Sequence, residues 1–272
     1  MGNEHSAQRG AAPAAPIVVT GGGSGIGAAC VERLIARGAH VIVVDRAAPK
    51  RDDVNFEHCD LTGLDAIGAL VARLPAQLHA LINVAGVATT EPAQNTIAVN
   101  FLALRELCER LLPSIERGGT IVNVASTAGR RWAEERARID GMLATRDFAA
   151  GLAWLERHKH QWIQEPYRFS KLCAAAYTYR ATQLALPHGV RVNCVLPGVV
   201  ETALSPAFRE IVGPQLYDWG VEQIGRPGAP GDIAEVLEFL TLGPCDWLNG
   251  VEIVVDGGYI AGIVGGWITP PT

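Results

Sequence analysis

The chain has 272 residues, of which 49% are hydrophobic and 19% are charged, so it can bury a large core and is not typical of a disordered protein. Its net charge is −5 and its basic residues do not cluster among aromatic ones, which argues against nucleic-acid binding. No apolar run approaches the ~18 residues that span a bilayer, and residues 1–16 lack the apolar region of a signal peptide. We therefore expect a cytoplasmic protein with no nucleic-acid or membrane partner and with a disordered arm over residues 1–16.

Apolar strands alternate with helical segments along the rest of the chain. Strands are predicted at residues 17–20, 40–45, 55–60, 78–83, 120–126, 190–196 and 251–256, and helices at 26–37, 64–73, 92–115 and 167–186. This alternation predicts a single α/β domain over residues 17–272, built on a doubly wound, Rossmann-like parallel sheet of seven strands. In such a sheet, ligands bind at the carboxyl ends of the strands.

Residues 130–164 interrupt this alternation. Apolar residues recur there at helical spacing, at Trp132, Ile139 and Leu143 and again at Phe148, Leu152 and Leu155. The spacing predicts an amphipathic helical hairpin inserted before the next helix. The insertion is expected to have one of two roles. It forms either a wall of a substrate site, which its aromatic residues favour, or an element of a subunit interface.

Cysteine and histidine residues give no metal-binding pattern. The six cysteines are scattered through apolar segments without a CxxC pair, which favours reduced, buried thiols over disulfides or metal ligands. His158 and His160 flank Lys159, and a solvated basic helix end explains them better than half of a zinc site. No metal is expected.

A glycine-rich turn, Thr20-Gly-Gly-Gly-Ser-Gly-Ile-Gly27, joins the first strand to the first helix. Such glycines let the backbone approach a pyrophosphate, and the start of the helix favours its negative charge, although a tight turn alone would also explain them. Asp45, at the end of the second strand, favours a dinucleotide, because its carboxylate can accept ribose hydroxyls and repels a 2′-phosphate. We expect NAD in preference to NADP, while Arg46 offers a possible partner for a phosphate.

Tyr167 and Lys171 are four residues apart on a predicted helix and therefore share a face. A phenolate can accept the proton when a hydride leaves an alcohol carbon, but the ordinary tyrosine pKa of about 10 must first fall by ~3 units, or ~4 kcal/mol. One charge ~4 Å away contributes about 4 kcal/mol at an effective dielectric constant of ~20. Lys171 is therefore expected to lower the pKa of Tyr167.

Further motifs follow in order along the chain: Asn83-Val-Ala-Gly86, Asn100, Ser126, Pro197-Gly-Val-Val-Glu-Thr202 and Val255-Asp-Gly-Gly258. With the glycine turn and the Tyr167–Lys171 pair, they resemble the short-chain dehydrogenase/reductase family over residues 17–258. The resemblance implies that Tyr167 and Lys171 are catalytic, that Ser126 bonds the substrate oxygen and that Asn100 holds a water in a proton relay. It also implies a set of cofactor-binding residues: Gly21, Ser24, Gly25, Ile26, Asp45, Asp60, Leu61, Asn83, Ala85, Gly86, Tyr167, Lys171, Pro197, Gly198, Val200 and Thr202.

Within that family, the insertion is similar to that of bacterial coniferyl-alcohol dehydrogenases and, less closely, of 3α-hydroxysteroid dehydrogenase/carbonyl reductases. Both imply a bulky, apolar, ring-bearing alcohol or ketone. The segment that matches the family's substrate lid is rich in large apolar residues: Leu204, Phe208, Ile211, Leu216, Tyr217 and Trp219. The family also implies a homodimer or homotetramer, formed through flank helices that the insertion would block or remodel.

An NAD-dependent short-chain alcohol dehydrogenase acting on a bulky hydrophobic, aromatic alcohol is the leading functional hypothesis. A 3α-hydroxysteroid dehydrogenase/carbonyl reductase acting on bulky ketones is the alternative on the same scaffold. A non-catalytic nucleotide sensor is disfavoured, because the residues that the family uses in catalysis are intact at all four positions: Asn100, Ser126, Tyr167 and Lys171.

Overall fold

The computed structural model describes residues 13–90 and 92–271, so residues 1–12 of the predicted arm lie outside it. In the described chain, seven strands form one sheet in the order β3-β2-β1-β4-β5-β6-β7, and every neighbouring pair is parallel. The strands are β1 (Ile17–Thr20), β2 (Val41–Asp45), β3 (Asn55–His58), β4 (Leu78–Asn83), β5 (Ile115–Val124), β6 (Arg191–Pro197) and β7 (Glu252–Val255). The predicted seven-stranded, doubly wound sheet is confirmed.

Helices connect the strands and pack against the sheet. They are α1 (Gly25–Ala36), α2 (Leu64–Arg73), α3 (Gln94–Ile97), α4 (Leu104–Leu111), α5 (Arg136–Leu143), α6 (Phe148–Arg157), α7 (Pro166–Ala185), α8 (Ser205–Val212), α9 (Pro214–Ile224), α10 (Pro230–Leu242) and α11 (Tyr259–Gly265). None of the helices in this part of the chain combines the length and the apolar character that a membrane crossing requires.

The helix predicted over residues 92–115 is the main correction to the secondary structure. It consists of α3, a π-helical turn at Ala98–Ala103 and α4, and it ends at Leu111. Pro113 has no backbone N–H and lies in a 3₁₀ turn that follows α4. Strand β5 therefore begins at Ile115, earlier than predicted.

Alternating side chains of the buried strands divide the interior into two hydrophobic cores. Val18 and Leu81 belong to the core that contains residues of α2, α4 and α7. Their neighbours Val19 and Ile82 belong to the core that contains residues of α1 and α10. The two-residue period of a strand therefore places helices on both faces of the sheet, and the sheet holds the carboxyl ends of its strands at one edge.

The insertion forms the predicted pair of helices, α5 and α6. Its apolar residues join the core on the α7 side of the sheet, where Ile139, Phe148 and Trp162 are buried. Arg105, which follows the π-helical turn, is also buried and fixes the loop between α5 and α6. Its guanidinium donates hydrogen bonds to the Thr145 carbonyl at 2.9 Å and to the Asp147 carbonyl at 2.7 Å.

Replacing Trp162 by Ala should therefore destabilise the whole domain. Trp162 is 2% exposed, and its indole Nε1 donates a 2.9 Å hydrogen bond to the Leu155 carbonyl. The lost packing should lower the free energy of unfolding in urea by about 3–5 kcal/mol. Trp247 is 98% exposed, so Trp247→Ala is a control that should change stability by less than ~0.5 kcal/mol. Equal effects of the two substitutions would contradict this assignment of the insertion to the core.

Candidate active site

A cavity of about 850 Å³ runs along the carboxyl ends of the strands, within the size range of small-molecule and cofactor sites. Residues at or just after the ends of β1 to β6 line it, as the parallel sheet requires. Nearly all of the predicted site residues meet there: Gly21, Ser24, Gly25, Ile26, Asp45, Asp60, Leu61, Ala85, Gly86, Ser126, Tyr167, Lys171, Pro197, Gly198, Val200 and Thr202. Asn83 and Asn100 do not line it in the part of the chain that the structure describes.

The glycine-rich turn after β1 is packed too closely for side chains. Gly21 has a φ of +69°, and a Cβ on it would lie 2.7 Å from the Cα of Ala85. A Cβ on Gly27 would lie 2.0 Å from the Gly21 carbonyl oxygen. Within the described chain, Ser24 makes no side-chain hydrogen bond to the first turn of α1, and that turn contains no acidic residue. The start of α1 thus offers backbone N–H groups to an anion, and the turn fits a dinucleotide pyrophosphate.

Two carboxylates are held in place farther along the cavity. Asp45, at the end of β2, accepts hydrogen bonds from the backbone N–H groups of Gly23 at 3.0 Å and Arg46 at 2.7 Å. Asp60, after β3, accepts from the backbone N–H of Thr62 at 2.9 Å, and this bond holds the pKa of Asp60 below its ordinary value. Both carboxylates line the cavity, and these hydrogen bonds fix their orientation.

Tyr167 lies in the first turn of α7, near Ser126, which follows β5. Tyr167 is half-buried and lines the cavity, and burial raises the pKa of Tyr167 to about 12. A hydrogen bond from Ser126 opposes the shift. The ring of Phe208 packs edge-on against the Tyr167 ring, with the ring centres 4.9 Å apart.

Lys171 is buried one turn later on α7. Its Nζ donates a 3.1 Å hydrogen bond to the Val124 carbonyl and lies 5.7 Å from the centre of the Tyr167 ring. Burial lowers the pKa of Lys171 to about 8. Burial disfavours both charged forms, so the pKa of Tyr167 lies above its ordinary value and the expected net lowering by Lys171 is not found.

Asn100 lies in the π-helical turn and is 1% exposed. Its Oδ1 accepts from the Val87 N–H at 2.8 Å, and its Nδ2 donates to the Val87 carbonyl at 2.9 Å and to Ser170 Oγ at 3.0 Å. Ser170 in turn donates to the Tyr167 carbonyl at 2.6 Å. The side chain of Asn100 thus ties the loop after β4 to the start of α7, and sequence reasoning did not identify Ser170 as the link.

The structure does not place Asn83 at the cofactor site predicted for it. Its Nδ2 donates to Asn123 Oδ1 at 3.0 Å and to Cys108 Sγ at 3.3 Å, so the amide is directed into the sheet and away from the predicted ribose site. The alternation of a strand explains the direction, because Val84, the next residue, lines the cavity.

The apolar side of the cavity comes from the segment around α8 and α9, as predicted: Leu204, Phe208, Ile211, Leu216 and Tyr217 line it. Trp219 packs against Tyr259 instead. Of the insertion's residues 130–164, all of which the structure describes, only Gln164 at its end lines the cavity, so the hypothesis that the body of the insertion is a substrate wall is wrong. Its aromatic residues cover α7 in the core. Gln164, Glu165 and Arg168 do line the cavity, and only their proximity to Tyr167 in sequence could have indicated them.

Comparison with known proteins agrees with this geometry. Residues 15–137 match the family model for short chain dehydrogenase, and residues 151–260 match that for Enoyl-(Acyl carrier protein) reductase. The chain is 33% identical over 243 residues to the coniferyl-alcohol dehydrogenase of Pseudomonas sp. (strain HR199 / DSM 7063), covering 89% of this chain and 95% of that enzyme. The chain belongs to the short-chain dehydrogenase/reductase family. It is therefore an oxidoreductase of the short-chain alcohol dehydrogenase type, in a family that uses NAD(P) and acts on small-molecule alcohols or ketones.

Two further relatives of the same family carry out steroid chemistry. The chain is 27% identical over 252 residues to the 3-alpha-hydroxysteroid dehydrogenase/carbonyl reductase of Comamonas testosteroni, covering 89% of this chain and 95% of that one. The crystal structure of the 3-alpha-hydroxysteroid dehydrogenase from Pseudomonas sp. B-0831, complexed with NADH, superimposes with a TM-score of 0.74 at 28% identity. That alignment covers 93% of this chain and 99% of the other. The family resemblance deduced from the motifs is confirmed.

Proposed function

We propose that this enzyme oxidises a bulky, apolar, ring-bearing alcohol to its carbonyl compound with NAD, and catalyses the reverse reduction. One observation carries the proposal. A single cavity joins a turn that fits a pyrophosphate, the Tyr167–Ser126–Lys171 group, and an apolar wall contributed by Phe208 and its neighbours. The residues for cofactor binding, proton transfer and substrate binding would therefore share one continuous cavity.

The residues along the cavity fit a dinucleotide. The turn from Gly21 to Gly27 would hold the pyrophosphate, and Asp60 and Leu61 the adenine. Asp45, with Ala85 and Gly86 after β4, would line the adenosine ribose. At and after the end of β6, the nicotinamide would be held by Pro197, Gly198, Val200 and Thr202. When bound, the oxidised nicotinamide supplies the hydride acceptor.

The chain's own residues handle the proton. The phenol oxygen of Tyr167 accepts the alcohol proton in oxidation and returns it in reduction. The Ser126 hydroxyl, which opposes the effect of burial on the pKa of that phenol, would bond the substrate oxygen beside it. Lys171, fixed by the Val124 carbonyl, holds its ammonium on the Tyr167 side of the cavity, where positive charge favours the phenolate.

Asp45 should set the choice of cofactor. We expect the wild type to use NAD at least ~10-fold more efficiently than NADP, which corresponds to about 1.4 kcal/mol. Asp45→Ala should shrink this ratio of kcat/KM values, because it removes a ribose acceptor and relieves repulsion of the 2′-phosphate. Asp53→Ala is the control, since Asp53 is exposed and pairs with Arg51 between β2 and β3. A wild type that prefers NADP would show that Arg46 controls this part of the cavity.

Steady-state kinetics on a panel of alcohols tests the substrate class. Oxidation of a cinnamyl-type alcohol should exceed that of ethanol by at least ~10² in kcat/KM, since burying each extra CH₂ contributes about 0.8 kcal/mol. Phe208→Ala should remove much of this difference and leave ethanol oxidation less affected. Equal efficiency for small and bulky alcohols would contradict the proposed class.

Steroid reduction is the second candidate function. The similarity to the two 3-alpha-hydroxysteroid dehydrogenases supports it, and the same apolar wall would accommodate a steroid. Running the panel in reverse, with steroid ketones and aromatic aldehydes and with each reduced nicotinamide, separates the two candidates by their kcat/KM values.

A further inference from the structure

The helix that carries Tyr167 begins without a cap of its own. Glu165 precedes α7 and, in the described chain, its side chain makes no capping hydrogen bond, while Pro166 occupies the first helical position. Tyr167 is the next residue, in the turn of a helix that frays most readily. Its position therefore depends on contacts from outside the helix.

Arg168 makes such a contact with the insertion. Its Nη1 donates a 3.0 Å hydrogen bond to Glu135 Oε2, and its Nη2 donates to Glu135 Oε1. The side chains of Arg168 and Glu135 are 32% and 23% exposed, so this two-bond pair is more shielded than a surface ion pair. Glu135 lies at the start of α5, 33 residues from Arg168 in sequence.

Arg138 extends this contact into a cluster of four charged residues, Glu135, Arg138, Glu165 and Arg168, which we call the α7 anchor. The Nη1 of Arg138 lies 3.1 Å from both Glu135 Oε2 and Glu165 Oε2. The Nε of Arg138 donates a 2.5 Å hydrogen bond to the Gln161 carbonyl. Two cations and two anions make the cluster neutral. It thereby joins the beginning and the end of the insertion to the first turn of α7.

The pKa shifts of Glu135 and Arg168 both favour their charged forms. Burial raises the pKa of the Glu135 carboxyl, but hydrogen bonds from Arg168 and Arg138 outweigh it and leave the pKa below its ordinary value. Glu165 and Arg168 also line the cavity beside Tyr167, so a displacement of the anchor would be transmitted directly to the site. On the other side, Phe208 contacts the Tyr167 ring.

We propose that Glu135 is a positioning residue for the reaction: it holds Arg168, and through it the first turn of α7, so that the Tyr167 phenol stays at the substrate oxygen. Glu135 does not line the cavity, so it serves the active site from outside, without touching the substrate. The effect on turnover rests on the proposed function, whereas the effect on the helix does not.

Glu135→Gln tests the proposal, because it removes the charge while keeping the shape of the side chain. Hydrogen exchange at the Phe169 amide reports the first turn, since its 2.9 Å bond to the Glu165 carbonyl closes that turn. We expect exchange there to quicken at least ~5-fold and kcat to fall about tenfold, equivalent to about 1.4 kcal/mol, with KM changed less than twofold.

Glu134→Gln is the matched control, because the neighbouring Glu134 pairs with Arg131 on the surface, at 58% and 67% exposure. It should leave kcat, KM and exchange within twofold of the wild type. The same result for Glu135→Gln would overturn the proposal. A wild type without alcohol turnover would instead reject the proposed function, and the exchange measurement would still decide the role of Glu135.

A double-mutant cycle shows whether Glu135 acts through Arg168. If it does, the variant with both Glu135→Gln and Arg168→Gln should have the same kcat as the less active of the two single variants. Additive losses in kcat would overturn the proposed route. Should Glu135→Gln not fold, Arg168→Lys keeps the charge but loses the two-bond geometry, and it must show the same faster exchange at Phe169. Wild-type exchange in Arg168→Lys would overturn the proposal.

Discussion

Burial of the Tyr167 phenol and of the Lys171 side chain, one turn apart on α7, controls the chemistry of the site. Burial raises the pKa of Tyr167 to about 12 and lowers that of Lys171 to about 8, so near neutral pH the phenol is protonated while the lysine keeps its positive charge. The protonated phenol can donate its proton in reduction, and nearby positive charge favours the phenolate that accepts the alcohol proton in oxidation. The Lys171 ammonium, 5.7 Å from the centre of the Tyr167 ring, supplies part of that charge.

The rest of the fold holds these two groups in fixed positions. The parallel sheet brings Val124 and Ser126 to the same edge as the glycine turn, and Val124 supplies the carbonyl that receives the Lys171 ammonium. Asn100 and Ser170 link the loop after β4 to the Tyr167 carbonyl. The α7 anchor adds a contact from the insertion, so several separate segments converge on one helical turn.

Much of this arrangement could be predicted from local sequence patterns. The alternation of apolar strands with helical segments predicts the sheet, and the spacing of the glycines, Asp45, Tyr167 and Lys171 predicts residues that line the cavity. Both predictions depend on short-range geometry along the chain. The predictions that failed concern tertiary contacts. Helical spacing shows that Phe148 lies on an apolar face of its helix, but not that this face packs into the core. The spacing of Tyr167 and Lys171 along a helix does not show how burial shifts their pKa values.

Turnover by a Tyr167→Phe variant tests most directly whether the phenol is the proton acceptor. The substitution keeps the ring and its packing against Phe208 while removing the hydroxyl. We expect kcat to fall at least ~10²-fold, the lower range of general acid–base contributions, with the dissociation constant of NAD within about twofold of the wild type. Tyr179→Phe, on the exposed side of the same helix, should leave both quantities unchanged. A Tyr167→Phe variant with kcat within tenfold of the wild type would contradict the assignment.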